Sequence, residues 1–153
     1  PPFDFQMQYL NLFMGLSNKP VENRFTKEIP FTEISRGMGA LGLPGDLSSP
    51  SRFVPATFTK IHSLKGKDEA HDIRQFFHIL GSVEQQKGCV DLNGKFEFTA
   101  YSSCCDTEKG VYYYKTYDNF SIIGIDMNQE ELNGDILISY PIVREGGFAI
   151  LNR

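Results

Sequence analysis

Two adjacent cysteines, Cys104 and Cys105, are candidates for a covalent nucleophile in this 153-residue chain. A cysteine attacks as its thiolate, so it needs a nearby histidine, cation or helix N-terminus that lowers the pKa of the thiol. Neither cysteine has a neighbouring histidine or cation placed to do this. A cysteine in a strand is more often a small core residue. We therefore predict that neither is a catalytic thiol.

The histidines and cysteines also lack the spacing of a metal site. His71 and His78 share one helix face, but seven residues correspond to about 10.5 Å of helical rise, too far for one ion. No C-x-x-C pair or other zinc spacing is present. The sequence therefore predicts no metal and no cofactor. The odd number of cysteines, with Cys89 as the third, indicates no disulfide framework and favours a reducing, cytoplasmic location.

A glycine-rich loop at 36–46 precedes a predicted helix over 50–63, which the run Ser48-Ser49-Pro50 introduces. Four glycines and a proline within eleven residues indicate a tight loop whose backbone approaches another group closely. The loop lacks the Lys-Ser/Thr tail of a phosphate-binding loop. Of two interpretations of Gly42, Gly45 and Asp46, a ligand cradle and a turn that positions the helix, we favour the turn.

Arg52 lies in the first turn of that predicted helix. A cation there faces the positive end of the helix dipole, at a cost of ~0.3–1 kcal/mol, so some other interaction should compensate. Pro55 is unfavourable in the same helix. Proline inside a helix removes a backbone hydrogen bond and destabilises the helix by ~3 kcal/mol unless it lies near the first turn.

The remaining pattern predicts helices followed by antiparallel strands, an α+β fold. A first helix begins near Phe3 and is apolar around most of its girth through Leu16, so it should be covered on more than one side. Asp68 caps the most strongly patterned helix, which closes at Lys87-Gly88. The strands are predicted at 95–102, 111–117, 120–127 and 136–143.

The composition narrows the classes of partner. The chain is 41% apolar and 22% charged, with a net charge of −4. An acidic chain without a basic cluster is not typical of a nucleic-acid or anionic membrane surface. No apolar run approaches the ~18 residues of a membrane span. Small molecules and proteins remain as partners.

The sequence resembles the choloylglycine hydrolase family, in particular its conjugated bile salt hydrolases. The longest matching segment is RGMGALGLPGDLSSPSRFV, residues 36–54, and the similarity covers nearly the whole chain. It is weakest at 19–33 and in the C-terminal tail. Shorter matching segments are QFFHIL at 75–80, VEQQKG at 83–88, YSSCC at 101–105, KGVYYY at 109–114 and TYDN at 116–119.

The resemblance implies a four-layer αββα fold of the N-terminal nucleophile (Ntn) hydrolase class, of which residues 1–153 are the C-terminal portion of a single domain. It implies a homotetramer and a conjugated bile salt as the small-molecule substrate. The family's nucleophile is a cysteine that becomes the first residue after Met removal, outside these residues. A family asparagine lies just upstream of the proline that matches Pro1. Arg52, the arginine of the Ser-Arg-Phe motif, is the one residue of this chain for which the resemblance implies a catalytic role.

Two other functions stay open at this point. A penicillin V acylase of the same family would share the fold and the chemistry but cleave a phenoxyacetyl amide. A non-catalytic relative could keep an apolar groove that binds steroids. Pro55 departs from the family, where a basic residue is usual.

Overall fold

The computed structural model describes residues 1–152 and forms two compact units, Pro1–Leu64 and Lys65–Arg153. Helices dominate the first unit, and the second combines one helix with antiparallel strands. The helices are α1 (Phe3–Leu10), α2 (Ser49–His62) and α3 (Glu69–Gly81), with 3-10 turns at Asn11–Phe13, Met38–Ala40 and Met127–Gln129. The strands are β1 (Val90–Leu92), β2 (Lys95–Glu97), β3 (Tyr101–Asp106), β4 (Val111–Thr116) and β5 (Asn119–Asp126).

The first helix is shorter than its apolar pattern predicts. α1 ends at Leu10, because the backbone N–H of Asn11 already bonds to the carbonyl of Gln8, three residues back, and the chain tightens into a 3-10 turn. α1 packs against α2, where the rings of Phe3 and Phe53 meet edge to face at 6.2 Å. Much of its remaining apolar surface is exposed, as at Met7.

The second helix agrees with its predicted bounds to within one residue. Pro50 occupies its first turn, where the missing N–H costs no hydrogen bond. Pro55 lies inside α2, and the helix continues through it to His62. The Ser51 carbonyl, four residues earlier, therefore has no helical N–H donor at position 55.

The third helix begins as predicted and ends earlier. The Asp68 carboxylate accepts the backbone N–H of His71 at 2.9 Å, which confirms the cap. A second carboxylate, that of Asp72, accepts the Gly66 N–H at 2.6 Å and fixes the chain before the cap. α3 ends at Gly81 rather than near Lys87-Gly88.

The strands form a β1–β2 hairpin and an antiparallel three-stranded sheet in the order β3–β4–β5. The predicted strand 95–102 is divided between β2 and β3. The predicted strand 136–143 is wrong, since no strand is assigned there. Val143 of that segment contacts the sheet through hydrogen bonds to side chains: its N–H donates to the Tyr114 hydroxyl at 3.1 Å, and its carbonyl accepts from the Thr116 hydroxyl at 3.5 Å.

Full burial is rare in both units. In the described part of the chain, the only apolar side chains classed as buried are Val54, Phe77 and Tyr114. Polar side chains that are buried outnumber them: Gln6, Ser51, Gln85, Ser102, Thr116 and Asn119. Within residues 1–152, no helix has both the length and the apolar character that crossing a membrane would require.

Candidate functional site

The glycine-rich loop is built against the chain's own backbone. The Ser17 N–H donates to the Gly39 carbonyl at 2.8 Å, and a side chain at Gly39 would lie 2.6 Å from the Ser17 carbonyl oxygen. Gly37 and Gly42 have φ values of 82° and 99°, which favour glycine. The predicted close approach is therefore confirmed, and the group approached is the segment that follows the first helix.

The loop ends in a carboxylate beside the N-terminus of α2. Asp46 accepts the backbone N–H of Ser48 at 3.0 Å. Hydrogen bonds from the hydroxyl of Ser48, then from the hydroxyl of Ser51 and the Ser48 backbone, hold the pKa of Asp46 below its ordinary value. Ser48 is the N-cap residue, but its side chain makes no capping bond to the helix. Asp46 therefore ties the loop to the start of α2.

Side chains of helix α1 also contact the first turn of α2. The Gln6 side-chain amide donates to the Ser49 hydroxyl at 3.1 Å, and the hydroxyls of Tyr9 and Ser51 lie 3.4 Å apart. Ser51 is only 2% exposed. The buried Gln6 Oε1 has no hydrogen-bond partner among the described residues. Two polar side chains of α1 thus meet the first turn of α2.

Arg52 lies in this first turn, as predicted. Its backbone N–H donates to the Ser48 carbonyl at 2.9 Å, and its neighbours along the chain are the buried Ser51 and the half-buried Phe53. Arg52 itself is half-buried. The turn therefore holds a guanidinium on a segment that hydrogen bonds fix from two sides. Its catalytic role stays a prediction.

The surroundings of the candidate cysteines and histidines are those of structural residues. Cys104 is half-buried in β3, and burial, followed by the neighbouring Cys105 and Asp106, raises the pKa of its thiol. A raised pKa disfavours the thiolate, as expected of a cysteine that is not a nucleophile. His71 Nδ1 lies 2.6 Å from Asp68, and the His62 ring lies 4.5 Å from that of Phe58.

No group of three histidine, cysteine, aspartate or glutamate side chains suited to a metal ion occurs within residues 1–152.

The tyrosine run 112–114 connects the sheet to its surroundings. Tyr113 donates to Glu69 Oε1 at 2.9 Å, and Lys109 forms an ion pair with the same carboxylate. This Glu69 cluster joins α3 to the β3–β4 turn. Its members lie 40 and 44 residues from Glu69, and no local sequence signal links them.

On the opposite face, an apolar cavity of about 240 Å³ is lined by Tyr101, Tyr112, Tyr114, Ile125, Tyr140 and Ile142.

The family that this architecture belongs to follows from comparison with known proteins. The sequence model of the linear amide C-N hydrolases, choloylglycine hydrolase family, matches residues 1–140. The chain belongs to the choloylglycine hydrolase family. The resemblance seen in the sequence is therefore confirmed over nearly the whole chain.

Individual choloylglycine hydrolase relatives agree. A bile salt hydrolase/transferase from Lactiplantibacillus plantarum is 54% identical over 153 residues, which are 99% of this chain and 47% of that protein. The crystal structure of a mutant conjugated bile acid hydrolase from Clostridium perfringens is 34% identical, with a TM-score of 0.85 over 99% of this chain and 46% of its own. The chain spans about half the length of the curated relatives it matches.

A more distant structure shares the fold alone. The penicillin V acylase from Agrobacterium tumefaciens is 18% identical, with a TM-score of 0.61 over 84% of this chain and 34% of its own. Together with the helices and antiparallel strands, these neighbours confirm the predicted α+β fold of the Ntn hydrolase class.

Proposed function

We propose that residues 1–153 are the C-terminal portion of a single choloylglycine hydrolase domain, and that the intact protein hydrolyses the amide between a bile acid and glycine or taurine. The observation that carries the proposal is the 54% identity to a bile salt hydrolase/transferase along 99% of the chain. The family match over residues 1–140 supports the broader chemistry, hydrolysis of a linear amide C–N bond.

In the proposed reaction, a terminal cysteine outside these residues attacks the amide carbonyl as a thiolate. The cysteine's own α-amine accepts the thiol proton, which its reference pKa of about 7.7–8.0 allows. The C–N bond breaks, glycine or taurine leaves with a proton, and water then hydrolyses the thioester. Arg52 supplies positive charge that favours the thiolate and stabilises the anionic tetrahedral intermediate.

The surroundings of Arg52 support this role. Arg52 is half-buried and lies in the first turn of α2, where its charge and the positive end of the helix dipole would both attract an anion. A thiolate or oxyanion at the active site is an anion of the kind that such a place would stabilise.

The chain by itself is proposed to be inactive. The proposed nucleophile lies outside residues 1–153, and burial raises the pKa of the Cys104 thiol, which disfavours its thiolate. A preparation of residues 1–153 alone should therefore release no taurine from a conjugated bile salt.

The test uses the full-length protein that contains these residues. Release of taurine and of glycine from conjugated bile salts is measured for the wild type and for Arg52→Ala. We expect turnover in the wild type and a loss of about 10²–10³ in kcat for the variant, the usual cost of removing one anion-stabilising donor. Unchanged kcat/KM in Arg52→Ala would exclude Arg52 from the site. No turnover in the wild type would exclude the function.

A parallel assay with penicillin V separates the acylase alternative. Cleavage of penicillin V in preference to both conjugates would assign the protein to that activity, and bile salt binding without turnover would assign it to the non-catalytic class. We further propose a homotetrameric, cytoplasmic enzyme. Light scattering on the full-length protein measures the first property, and fractionation of the source cells measures the second.

A further inference from the structure

The side-chain amide of Gln6 has one polar end with a partner and one without. Gln6 is 8% exposed, and its Nε2 donates to the Ser49 hydroxyl at 3.1 Å. Its Oε1 is also buried, yet it accepts no hydrogen bond from residues 1–152. Buried polar atoms almost always have a partner, because an unsatisfied one costs about 1–3 kcal/mol. Oε1 is therefore suited to an N–H or O–H donor that these residues do not supply.

Gln6 belongs to a face of α1 that contacts the start of α2. Positions three apart lie on the same side of a helix. Three side chains with this spacing contact alternate residues of α2: Phe3 contacts Phe53, Gln6 contacts Ser49, and Tyr9 contacts Ser51. Positions 51 and 53 are the two neighbours of Arg52 in the chain. This face of α1 therefore fixes the backbone that carries Arg52.

The same end of α1 lies close to where the rest of the intact protein would join. The chain spans about half the length of the curated relatives it matches, so a comparable length of such a protein has no counterpart here. If residues 1–153 are the C-terminal portion, as proposed above, the N-terminal portion joins at Pro1. The Gln6 N–H donates to the Pro2 carbonyl at 3.2 Å, which places Gln6 one helical turn from that junction.

We propose that Gln6 is a positioning residue that bridges the two portions of the active site. Its Nε2 holds Ser49 in the first turn of α2, and its Oε1 accepts a hydrogen bond from an N–H or O–H group of the N-terminal portion. This inference rests on the catalytic role proposed for Arg52. Gln6 touches no reacting atom; it fixes the place of Arg52 relative to the portion that supplies the nucleophile. Misplacement of a catalytic group by about 1 Å can cost as much as 10²-fold in rate.

Two variants and one control separate the ends of the bridge. Gln6→Met keeps an unbranched side chain of similar length and removes both polar atoms. Gln8→Met makes the same change at an exposed position of the same helix and is the matched control. Ser49→Ala removes the partner of Nε2 and leaves the Oε1 contact in place, so it should have a smaller effect than Gln6→Met.

The kinetic experiment measures hydrolysis of a taurine conjugate by full-length protein, in the wild-type and Arg52→Ala backgrounds. In the wild-type background we expect Gln6→Met to lower kcat about tenfold with KM within about twofold, since the group it positions acts on the reacting atoms. Gln8→Met should match the wild type. In the Arg52→Ala background, Gln6→Met should cause no further loss, because the residue through which it acts is absent.

The pH dependence of kcat/KM gives a second readout of the same role. A displaced guanidinium stabilises the thiolate less, so the acid limb of the profile should move to higher pH in Gln6→Met, in the same direction as in Arg52→Ala. A purely structural role would lower kcat by the same factor in both backgrounds and leave the acid limb in place. That pattern, or an unchanged kcat, overturns the proposal.

A crystal structure of the full-length wild type tests the bridge without any variant. A donor of the N-terminal portion within hydrogen-bond distance of Gln6 Oε1 supports it. An Oε1 that contacts only water, or only residues 1–153, overturns it. If the wild type hydrolyses no conjugate, the proposed function fails, and this structure still decides whether Gln6 bridges the two portions.

Discussion

The two compact units fix their functional elements by different means. In the first unit, a single fully buried apolar side chain, Val54, accompanies a set of side-chain hydrogen bonds that converge on the first turn of α2. In the second unit, Phe77 and Tyr114 are buried, and β3, β4 and β5 pair as an antiparallel backbone ladder. The turn that carries Arg52 therefore depends on polar contacts, whereas the sheet depends on apolar burial and backbone pairing.

This difference predicts which substitutions each unit tolerates. A hydrogen bond contributes a net ~0.5–1.5 kcal/mol to stability, whereas burial of a large apolar side chain contributes more. Loss of a polar contact in the first unit should change the position of a side chain more than it changes stability. Loss of an apolar contact in the second unit should do the reverse.

The largest effect is expected at Phe77 in α3. Phe77 is 5% exposed, and its neighbour Phe76 is 38% exposed. We expect Phe77→Ala to lower the free energy of unfolding by about 3–5 kcal/mol, through lost burial and the cavity left behind. Phe76→Ala, the matched control, should cost markedly less. Urea unfolding followed by circular dichroism measures both, and equal losses would contradict the assignment of Phe77 to the core of its unit.

A smaller effect is expected at Val54, the buried residue of the first unit. Val54→Ala removes the equivalent of two methylenes at ~0.8 kcal/mol each and leaves a small cavity, so we expect a loss of about 2 kcal/mol. Val21→Ala is the control, because Val21 is exposed, and it should stay within about 0.5 kcal/mol of the wild type. A loss at Val54 as small as at Val21 would show that hydrogen bonds alone hold α2.

The elements that could be predicted from the sequence are those that local interactions determine. The Asp68 cap lies three residues from its partner, and the start of α2 follows from Ser48-Ser49-Pro50, so the starts of α2 and α3 and the place of Arg52 in the first turn could be inferred. The long resemblance supplied the Ntn hydrolase fold class, which no periodicity contains.

What could not be predicted depends on distant partners. The segment 136–143 alternates like a strand, yet a strand also needs a neighbouring backbone, and no strand is assigned there. The contact between Tyr9 and Ser51 spans 42 residues, and that between Glu69 and Tyr113 spans 44. Sequence spacing carries no information about which distant hydroxyl meets which carboxylate.

Removal of one hydroxyl in the sheet should have a modest effect. Tyr114→Phe keeps the buried ring but removes the oxygen that accepts the Val143 N–H at 3.1 Å. We expect a loss of ~0.5–1.5 kcal/mol in the free energy of unfolding. Tyr112→Phe is the control on the same strand face. Hydrogen exchange at the Val143 amide should accelerate in Tyr114→Phe alone, and acceleration in both variants would mean that the hydroxyl is not the specific contact.

The smallest predicted effect is a difference between the two units in how their stability depends on pH. The hydrogen bond to Glu69 is the main cause that raises the pKa of Tyr113 above its ordinary value, and the same carboxylate raises the pKa of Lys109. A group whose pKa is raised on folding stabilises the protein below its ordinary pKa, about 10 for tyrosine, and loses that contribution as the pH rises through the folded value. The pKa of Asp46 in the first unit is lowered, so its contribution is lost instead as the pH falls below about 3.9.

Urea midpoints between pH 8 and 11 test this difference. Tyr113→Phe should be less stable than the wild type at pH 8, and the gap should close above pH 10, because the wild type loses the hydrogen bond as its phenol ionises opposite a carboxylate. Asp46→Asn should show a constant gap over the same range and close it only in acid. Two results would contradict this prediction. The stability difference between Asp46→Asn and the wild type could close at alkaline pH, or that between Tyr113→Phe and the wild type could stay open there. Either result would mean that the two units do not differ in the pH dependence of these contacts.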